Sequence, residues 1–286
     1  VELDVLLSAD GEIVVHHDYH LNPEIARTPD GAWLHGGVRP AVKALTLAEL
    51  KTYDVGRLKP HTASFDRYPA QRPVDGERIP TLREVIAFYH HCGGKISRLC
   101  IEIKTSPEAP DVTPGPEAMV EAVVRLLALE GIADRAFIFS FDWRALKHAQ
   151  TLSPDIPRVY LSHIGANFDN IKPGQAGPHL WTGGLDVADF GGSIPRMVKA
   201  AGGRYWGPDH EYLTSAVLHE AHGLGLKVFA WTPDDPGSML RLIKMNVDGV
   251  ITNRPDRLKC LLREFAASTD GVASPLSLNC SAGGER

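Results

Sequence analysis

The stretch "VELDVLLSADGEIVVHHD", residues 1–18, decides the fold and the chemistry that we expect of this chain. Its first part, "VELDVLL", has a β-strand pattern in which Glu2 and Asp4 point to the same face. Asp10 and Gly11 then form a turn signal, and "EIVVHH" resumes the strand pattern. The stretch therefore predicts a strand and a hairpin-like return that carry acidic and histidine side chains.

Similar short β-branched runs recur along the chain and alternate with helical patterns. Counting the opening stretch as one, the runs begin at Val1, Leu99, Ala136, Arg158, Arg204, Lys227 and Asp248. Helical patterns begin at Pro116, Thr214 and Asp235, and each is predicted to end at a following glycine. Strands that alternate with helices in this way indicate a parallel sheet with crossover helices.

The length and regularity of this series favour one closed barrel over an open sheet. A chain of 286 residues is long enough for a single α/β barrel. The usual barrel has eight parallel strands, whereas seven runs are present and the first opens directly at Val1. We therefore expect a (β/α)8 TIM barrel that lacks its first β-α unit, about 30 residues, in this chain.

The barrel is predicted to extend over residues 1–265, with a long insertion between two of its strands. The insertion covers about residues 19–97 and is rich in Pro, Gly, Asp and Arg. Within it, only "TLAEL" from Thr46 and "TLREVIAFYHH" from Thr81 have helical patterns. Residues 266–286 are rich in Ser, Gly and Ala and lack an apolar face, which predicts a disordered tail.

The composition argues against a nucleic-acid partner and against a membrane-spanning helix. The formal net charge of −5 is spread along the chain without a basic run, so we expect no nucleic-acid partner. No apolar run approaches the roughly 20 residues that a membrane-spanning helix needs. The four cysteines match neither a C-x-x-C site nor a compact disulfide framework.

The strand "IEIK" adds a second charged pair, because Glu102 and Lys104 also share one face. Inward positions of a barrel are usually occupied by Val, Ile and Leu, so charged residues there suggest a function. Repulsion between unscreened carboxylates costs on the order of 4 kcal/mol per pair. A divalent cation would offset that repulsion, and oxygen ligands favour Mg²⁺ or Ca²⁺. The alternative is that Glu2 or Glu102 pairs with a basic residue at a strand end.

Further candidates follow other strands. Alternation after the hairpin places Val15 and His17 on one face, and His17 could there transfer a proton. The alternative is that the His-His-Asp run forms a solvated turn or a satisfied hydrogen-bond cluster. Phe141 and Trp231 follow strand patterns at their carboxyl ends, where they either line a substrate mouth or belong to ordinary packing.

The stretches "VELDVLLSADGEIVVHHDYHLNPEIAR", "IPTLREV", "IEIK", "FSF", "VFAWTPDD" and "VDGVITNRPDRL" together resemble the motifs of bacterial glycerophosphodiester phosphodiesterases, in the family's order. The resemblance implies a PLC-like TIM barrel that hydrolyses a small-molecule glycerophosphodiester to sn-glycerol 3-phosphate and an alcohol. It also implies roles for individual residues: Glu2, Asp4 and Glu102 as ligands of one Ca²⁺ or Mg²⁺, His17 as one of two acid/base histidines, Lys104 as a phosphate contact, and Phe141 and Trp231 near the substrate mouth.

The sequence departs from the family pattern in one serious respect. The family's His-Arg-Gly motif, with its second histidine, and the following Glu-Asn-Thr are absent, and Asn253 stands where Asp is commoner. We therefore expect these 286 residues alone to be inactive or nearly so. The alternatives are a ligand-binding barrel without catalysis, or another PLC-like phosphodiesterase such as a sphingomyelinase D or a phosphatidylinositol-cleaving phospholipase C. Bacterial relatives occur in both cytoplasm and periplasm.

Overall fold

A computed structural model describes residues 1–35, 37, 39–92 and 97–269. The chain forms two compact units. Within the described residues, unit 1 consists of Val1–Tyr160 and Gly177–Leu185, and unit 2 of Leu161–Ala176 and residues 186–269. Among the helices in the described ranges, none combines the length and apolar character of a membrane-spanning helix.

Unit 1 contains the hairpin, the long insertion and the first β-α repeats. Its strands are β1 (Glu2–Leu7), β2 (Ile13–Val15), β3 (Leu99–Ile103), β4 (Ala136–Ser140) and β5 (Arg158–Ser162), of which the last two residues belong to unit 2. Its helices are α1 (Leu47–Leu50), α2 (Ala63–Arg67), α3 (Leu82–His91), α4 (Pro116–Leu129) and α5 (Trp143–Leu152), with short 3-10 turns at Val42–Ala44 and Ala133–Arg135.

The sheet of unit 1 brings the two charged strand patterns into register. The strands lie in the order β2-β1-β3-β4-β5. Strand β2 pairs antiparallel with β1, while β3, β4 and β5 follow in parallel. Asp4 of β1 lies beside Glu102 of β3, and Glu2 beside Cys100. Because paired residues of neighbouring strands point to the same face, this register gathers the carboxylates at one place.

The insertion folds onto the hairpin through its own apolar cluster. The buried members of this cluster are Leu6, Val14, Leu21, Ala26, Leu34, Val42, Leu50 and Ile79. Both predicted helices are present, each opened by a capping box: Thr46 with Glu49, and Thr81 with Glu84. The insertion also contains α2 and one 3-10 turn, which were not predicted, because segments this short carry too little periodicity to be recognised.

Unit 2 continues the β-α succession. Its strands are β6 (Tyr205–Pro208), β7 (Lys227–Trp231) and β8 (Gly249–Ile251), and its helices are α6 (Ile194–Ala200), α7 (Ser215–Gly223), α8 (Pro236–Met245) and α9 (Pro255–Thr269), with a 3-10 turn at Val187–Phe190. Strands β6, β7 and β8 pair in parallel.

All the predicted strands are confirmed, and two helix predictions need correction. Helix α8 ends at Asn246, whose φ of 61° provides the left-handed residue that we expected from a glycine. Helix α9 continues to Thr269 and so enters the segment predicted to be a disordered tail. The rest of that prediction, residues 270–286, lies outside the described residues.

Candidate active site

Three carboxylates from β1 and β3 converge in unit 1. Oxygen atoms of Glu2, Asp4 and Glu102 all lie within 4.8 Å of one another. Two oxygens bound to one Ca²⁺ at about 2.4 Å can be at most about 4.8 Å apart. The three side chains therefore fit around a single cation. Within the described part of the chain, no other group of three His, Cys, Asp or Glu residues meets this criterion.

Lys104 supplies the positive charge at this cluster. Its Nζ lies 2.6 Å from Glu102 Oε1 and 3.0 Å from Asp4 Oδ1. Burial would by itself lower the pKa of the Lys104 ammonium, but the charges of Glu102 and Asp4 raise it above its usual value. The ammonium therefore stays protonated at neutral pH and balances one of the carboxylates.

The remaining negative charge is poorly accommodated. Burial, followed by the charges of Asp4 and Glu102, raises the pKa of Glu2 to about 8. Burial likewise raises the pKa of the Glu102 carboxyl. These raised pKa values mean that the site favours added positive charge. Because its ligands are all oxygen atoms, a hard divalent cation would suit it.

His17 follows the hairpin, and Asp18 orients its ring. Strand β2 ends at Val15, so the predicted alternation does not extend to His17, whose side chain is 71% exposed. Its Nδ1 donates to Asp18 Oδ1 at 2.7 Å, which leaves Nε2 available. This hydrogen bond raises the pKa of His17, and the charges of Lys104 and Asp4 also act on it, in opposite directions. The ring therefore lies within electrostatic reach of the acidic cluster.

Asp18 also fixes the neighbouring histidine and the start of the insertion. His16 Nδ1 donates to the Asp18 carbonyl at 2.8 Å, and Asn22 Nδ2 donates to Asp18 Oδ2 at 2.9 Å. The backbone N–H of His16 donates to the Asp4 carbonyl at 3.0 Å. The segment is therefore a hydrogen-bond cluster around Asp18, one of the two alternatives that the sequence left open, and it is tied to the strand that carries Glu2 and Asp4.

Phe141 lies beside the cluster in unit 1, at the end of β4. The Nζ of Lys104 is 6.0 Å from the centroid of its ring. An ammonium at this distance from an aromatic face interacts favourably with it. The structure thus brings together Glu2, Asp4, Glu102, Lys104 and Phe141, with His17 nearby.

Trp231 belongs to unit 2, where it ends β7. Its Nε1 donates to the Gly207 carbonyl at 2.9 Å, and its ring lies 5.6 Å from the ring of His163. His163 in turn pairs with Asp209, with 2.9 Å between Nδ1 and Oδ2. Sequence reasoning did not identify this pair. Its signal was the position of both residues directly after the carboxyl ends of two parallel strands, β5 and β6.

Comparison with known proteins gives a consistent result. Residues 1–257 match the model of the "Glycerophosphoryl diester phosphodiesterase family". A glycerophosphodiester phosphodiesterase of Caldanaerobacter subterraneus subsp. tengcongensis is 29% identical over 264 residues, which cover 92% of this chain and 86% of that protein.

Solved structures show the same likeness. One from Silicibacter pomeroyi DSS-3, assigned to the glycerophosphoryl diester phosphodiesterases, is 30% identical with a TM-score of 0.80, and the match covers 92% of this chain and 83% of that one. A phosphodiesterase from Oleispira antarctica, in complex with the product sn-glycerol-3-phosphate, is 24% identical with a TM-score of 0.64, covering 92% and 84%. These likenesses confirm the predicted TIM-barrel-like α/β fold.

Proposed function

This chain belongs to the glycerophosphoryl diester phosphodiesterase family, and we propose that it hydrolyses glycerophosphodiesters to sn-glycerol 3-phosphate and an alcohol with the help of one divalent cation. The observation that carries the proposal is the convergence of Glu2, Asp4 and Glu102, two of which, Asp4 and Glu102, pair with the ammonium of Lys104. This convergence lies on the strands that hold the family-like motifs "VELD" and "IEIK".

In the proposed site, the three carboxylates hold the cation, either Ca²⁺ or Mg²⁺. When bound, the cation supplies positive charge against the phosphate oxygens, on which negative charge develops in the transition state. Lys104 then has fewer carboxylate charges to balance, so its ammonium can contact a non-bridging phosphate oxygen. The raised pKa values of Glu2 and Glu102 support this assignment, because they indicate a site that favours added positive charge.

His17 is the proposed proton-transfer group. Its Nε2 is available because Nδ1 is held by Asp18, and the carboxylate of Asp18 favours the protonated ring. Such a ring can give a proton to the leaving alkoxide or, when neutral, take one from the nucleophile. The nucleophile is either water or the neighbouring glycerol hydroxyl. Detection of a cyclic glycerol phosphate by phosphorus NMR would identify the second route.

A substrate-contacting role is proposed for Phe141 in unit 1 and, separately, for Trp231 in unit 2. Phe141 is half-buried beside Lys104, and Trp231 keeps part of its ring exposed at the end of β7. Aromatic rings at such positions offer apolar surface to the carbon atoms of a glycerol or alcohol group.

The test is release of sn-glycerol 3-phosphate from glycerophosphocholine, with and without EDTA, by the chain carrying a β-α segment with the His-Arg-Gly motif ahead of Val1. Chelator-sensitive release that Glu2→Gln abolishes would support the proposal, and the exposed carboxylate of Glu12 provides the matched control, Glu12→Gln. Sphingomyelin and phosphatidylinositol should be assayed in parallel. Turnover of either lipid without turnover of glycerophosphocholine would reassign the chain to another phosphodiesterase reaction.

A further inference from the structure

The carboxyl ends of β3 and β4 are joined by a chain of buried hydrogen bonds between polar groups. Ser140 Oγ donates to the Ile103 carbonyl at 2.9 Å, and the backbone N–H of Asp142 donates to Ser140 Oγ at 3.0 Å. Thr105 Oγ1 donates to Asp142 Oδ2 at 2.8 Å. We call Thr105, Ser140, Asp142 and Arg144 the strand-end network.

Asp142 is fully buried, yet its carboxylate is completely satisfied. Besides the bond from Thr105, it accepts from Arg144 three times: Nε to Oδ1 at 2.9 Å, a terminal nitrogen to Oδ2 at 2.7 Å and the backbone N–H to Oδ1 at 3.1 Å. A buried carboxylate is costly unless it is paired and hydrogen-bonded, and a satisfied polar network fixes geometry more strictly than apolar packing does.

The hydrogen bonds of the network attach to the sequence neighbours of two proposed site residues. Its bonds attach to Ile103 and Thr105, the two neighbours of Lys104, and to Ser140 and Asp142, the two neighbours of Phe141. The backbone on each side of Lys104 and of Phe141 is therefore held in place. These are also the two side chains that meet, with Nζ of Lys104 6.0 Å from the Phe141 ring.

We propose that the strand-end network is a positioning device that sets the Lys104 ammonium for phosphate binding, an inference that rests on the proposed function. Thr105 and Asp142 touch neither substrate nor cation in this role, and they act through Lys104. Groups that bind a phosphate gain their effect only when they are held within a fraction of an ångström, and supporting hydrogen bonds provide that precision.

The experiment measures the dissociation constant of sn-glycerol 3-phosphate at saturating Ca²⁺, by calorimetry, for the wild-type chain and for Thr105→Val. The variant keeps the side-chain shape but loses the hydroxyl. We expect product binding to weaken about tenfold, the lower end of the range for supporting partners, while Ca²⁺ affinity stays within about twofold. Thr105→Ser restores the hydroxyl and should restore product binding.

Two comparisons separate positioning from general stability. Thr182→Val is the control for loss of a buried threonine hydroxyl, because Thr182 is also buried and its hydroxyl donates a hydrogen bond, in this case to the backbone carbonyl of His179. It should leave product binding unchanged. On a Lys104→Met background, Thr105→Val should cause no further loss, since its effect passes through the ammonium. Should Thr105→Val fail to fold, Thr105→Ala removes the same hydroxyl and leaves Asp142 its bonds from Arg144.

Several results would overturn the inference. Unchanged product binding in Thr105→Val, equal loss on the Lys104→Met background, or an equal loss of Ca²⁺ affinity would each remove the positioning role while leaving the proposed function intact. A wild-type chain that binds Ca²⁺ but no sn-glycerol 3-phosphate would instead overturn the proposed function, and the positioning role with it.

Discussion

At the scale of single residues, the carboxyl of Glu2 couples the charge of the site to the stability of the chain. Its pKa is raised from 4.5 to about 8, chiefly by burial and then by Asp4 and Glu102. Between these two pH values the folded chain holds a proton that the unfolded chain has released. Stability contributed by this group is therefore present at low pH and is lost as the pH rises through the window.

We expect the metal-free wild-type chain to lose stability relative to Glu2→Gln as the pH rises from about 5 to about 8. The slope of the difference has an upper limit of about 1.4 kcal/mol per pH unit, the value for one proton. At about pH 8 in EDTA the variant should be the more stable of the two, because it carries no ionisable group at this position. Urea unfolding at several pH values measures the difference.

The control for this prediction is Glu12→Gln, which removes an exposed carboxylate from the hairpin turn and should keep the wild-type slope. Saturating Ca²⁺ should stabilise the wild-type chain, with increasing effect at higher pH, and should stabilise Glu2→Gln far less. If the difference in stability between Glu2→Gln and the wild type is the same at every pH, ionisation of Glu2 does not destabilise the folded chain.

Asp18 sets the protonation of His17. Its hydrogen bond to Nδ1 raises the pKa of the histidine, because the carboxylate favours the imidazolium. In Asp18→Asn we expect the pKa of His17 to fall. If activity requires protonated His17, the limb of the pH–activity profile that reports this group should move to lower pH as well. NMR titration of the ring protons measures the shift, with Asn22→Ala as the control that removes a bond to Asp18 but keeps its charge. An unshifted His17 pKa in Asp18→Asn would contradict the assignment.

At the scale of elements, the strands could be predicted from the sequence because each is a β-branched run bounded by turn signals. The acidic cluster could be predicted with them, because Glu2 and Asp4, and likewise Glu102 and Lys104, are two residues apart on one strand. The strand-end network could not, because Thr105 and Asp142 are 37 residues apart in sequence and meet only through the register of β3 and β4.

The orientation of the His17 side chain also could not be predicted from the sequence. It depends on where β2 ends, and strand ends are the least regular part of a strand pattern. Asn246 shows the same limit at a helix end, since a left-handed residue was needed there and asparagine supplied it in place of glycine.

The loops after β7 and β8 explain the departure at Asn253. Asp234 accepts from the backbone N–H and the Nδ2 of Asn253, at 2.9 and 3.0 Å, and from the Thr252 hydroxyl at 3.1 Å. The single change Asn253→Asp would place a second carboxylate against Asp234. We expect it to lower the free energy of unfolding by about 1 kcal/mol, as is typical of exposed charge pairs.

The matched control is the exchanged pair, Asp234→Asn with Asn253→Asp, which again sets one amide against one carboxylate. Thermal unfolding should show that the double variant recovers most of the stability lost in Asn253→Asp. If the single variant is as stable as the wild type, or the exchange brings no recovery, the two side chains are not coupled as this geometry requires.

At the scale of the whole molecule, these 286 residues contain the proposed cation ligands and His17, the proposed match to one of the two acid/base histidines that the family resemblance implies, but not the His-Arg-Gly motif that carries the other. We therefore expect them to bind metal and sn-glycerol 3-phosphate while turning over glycerophosphocholine slowly, because proton transfer by one group contributes typically about 10² to 10⁴-fold. Fusion of a β-α segment carrying the His-Arg-Gly motif ahead of Val1 should raise the rate, and the same segment with its histidine changed to alanine should not. Equal rates for both fusions would show that the second histidine does not limit turnover.

The central claim is that Glu2, Asp4 and Glu102 hold one divalent cation on which the phosphate of the product binds. The most direct measurement is calorimetric titration of the metal-free chain with Ca²⁺ or Mg²⁺, followed by sn-glycerol 3-phosphate, for the wild type and Glu2→Gln. We predict one metal site per chain, product binding that requires the metal, and loss of both in the variant. Product binding of equal strength in EDTA, or metal binding that Glu2→Gln leaves unchanged, would contradict the claim.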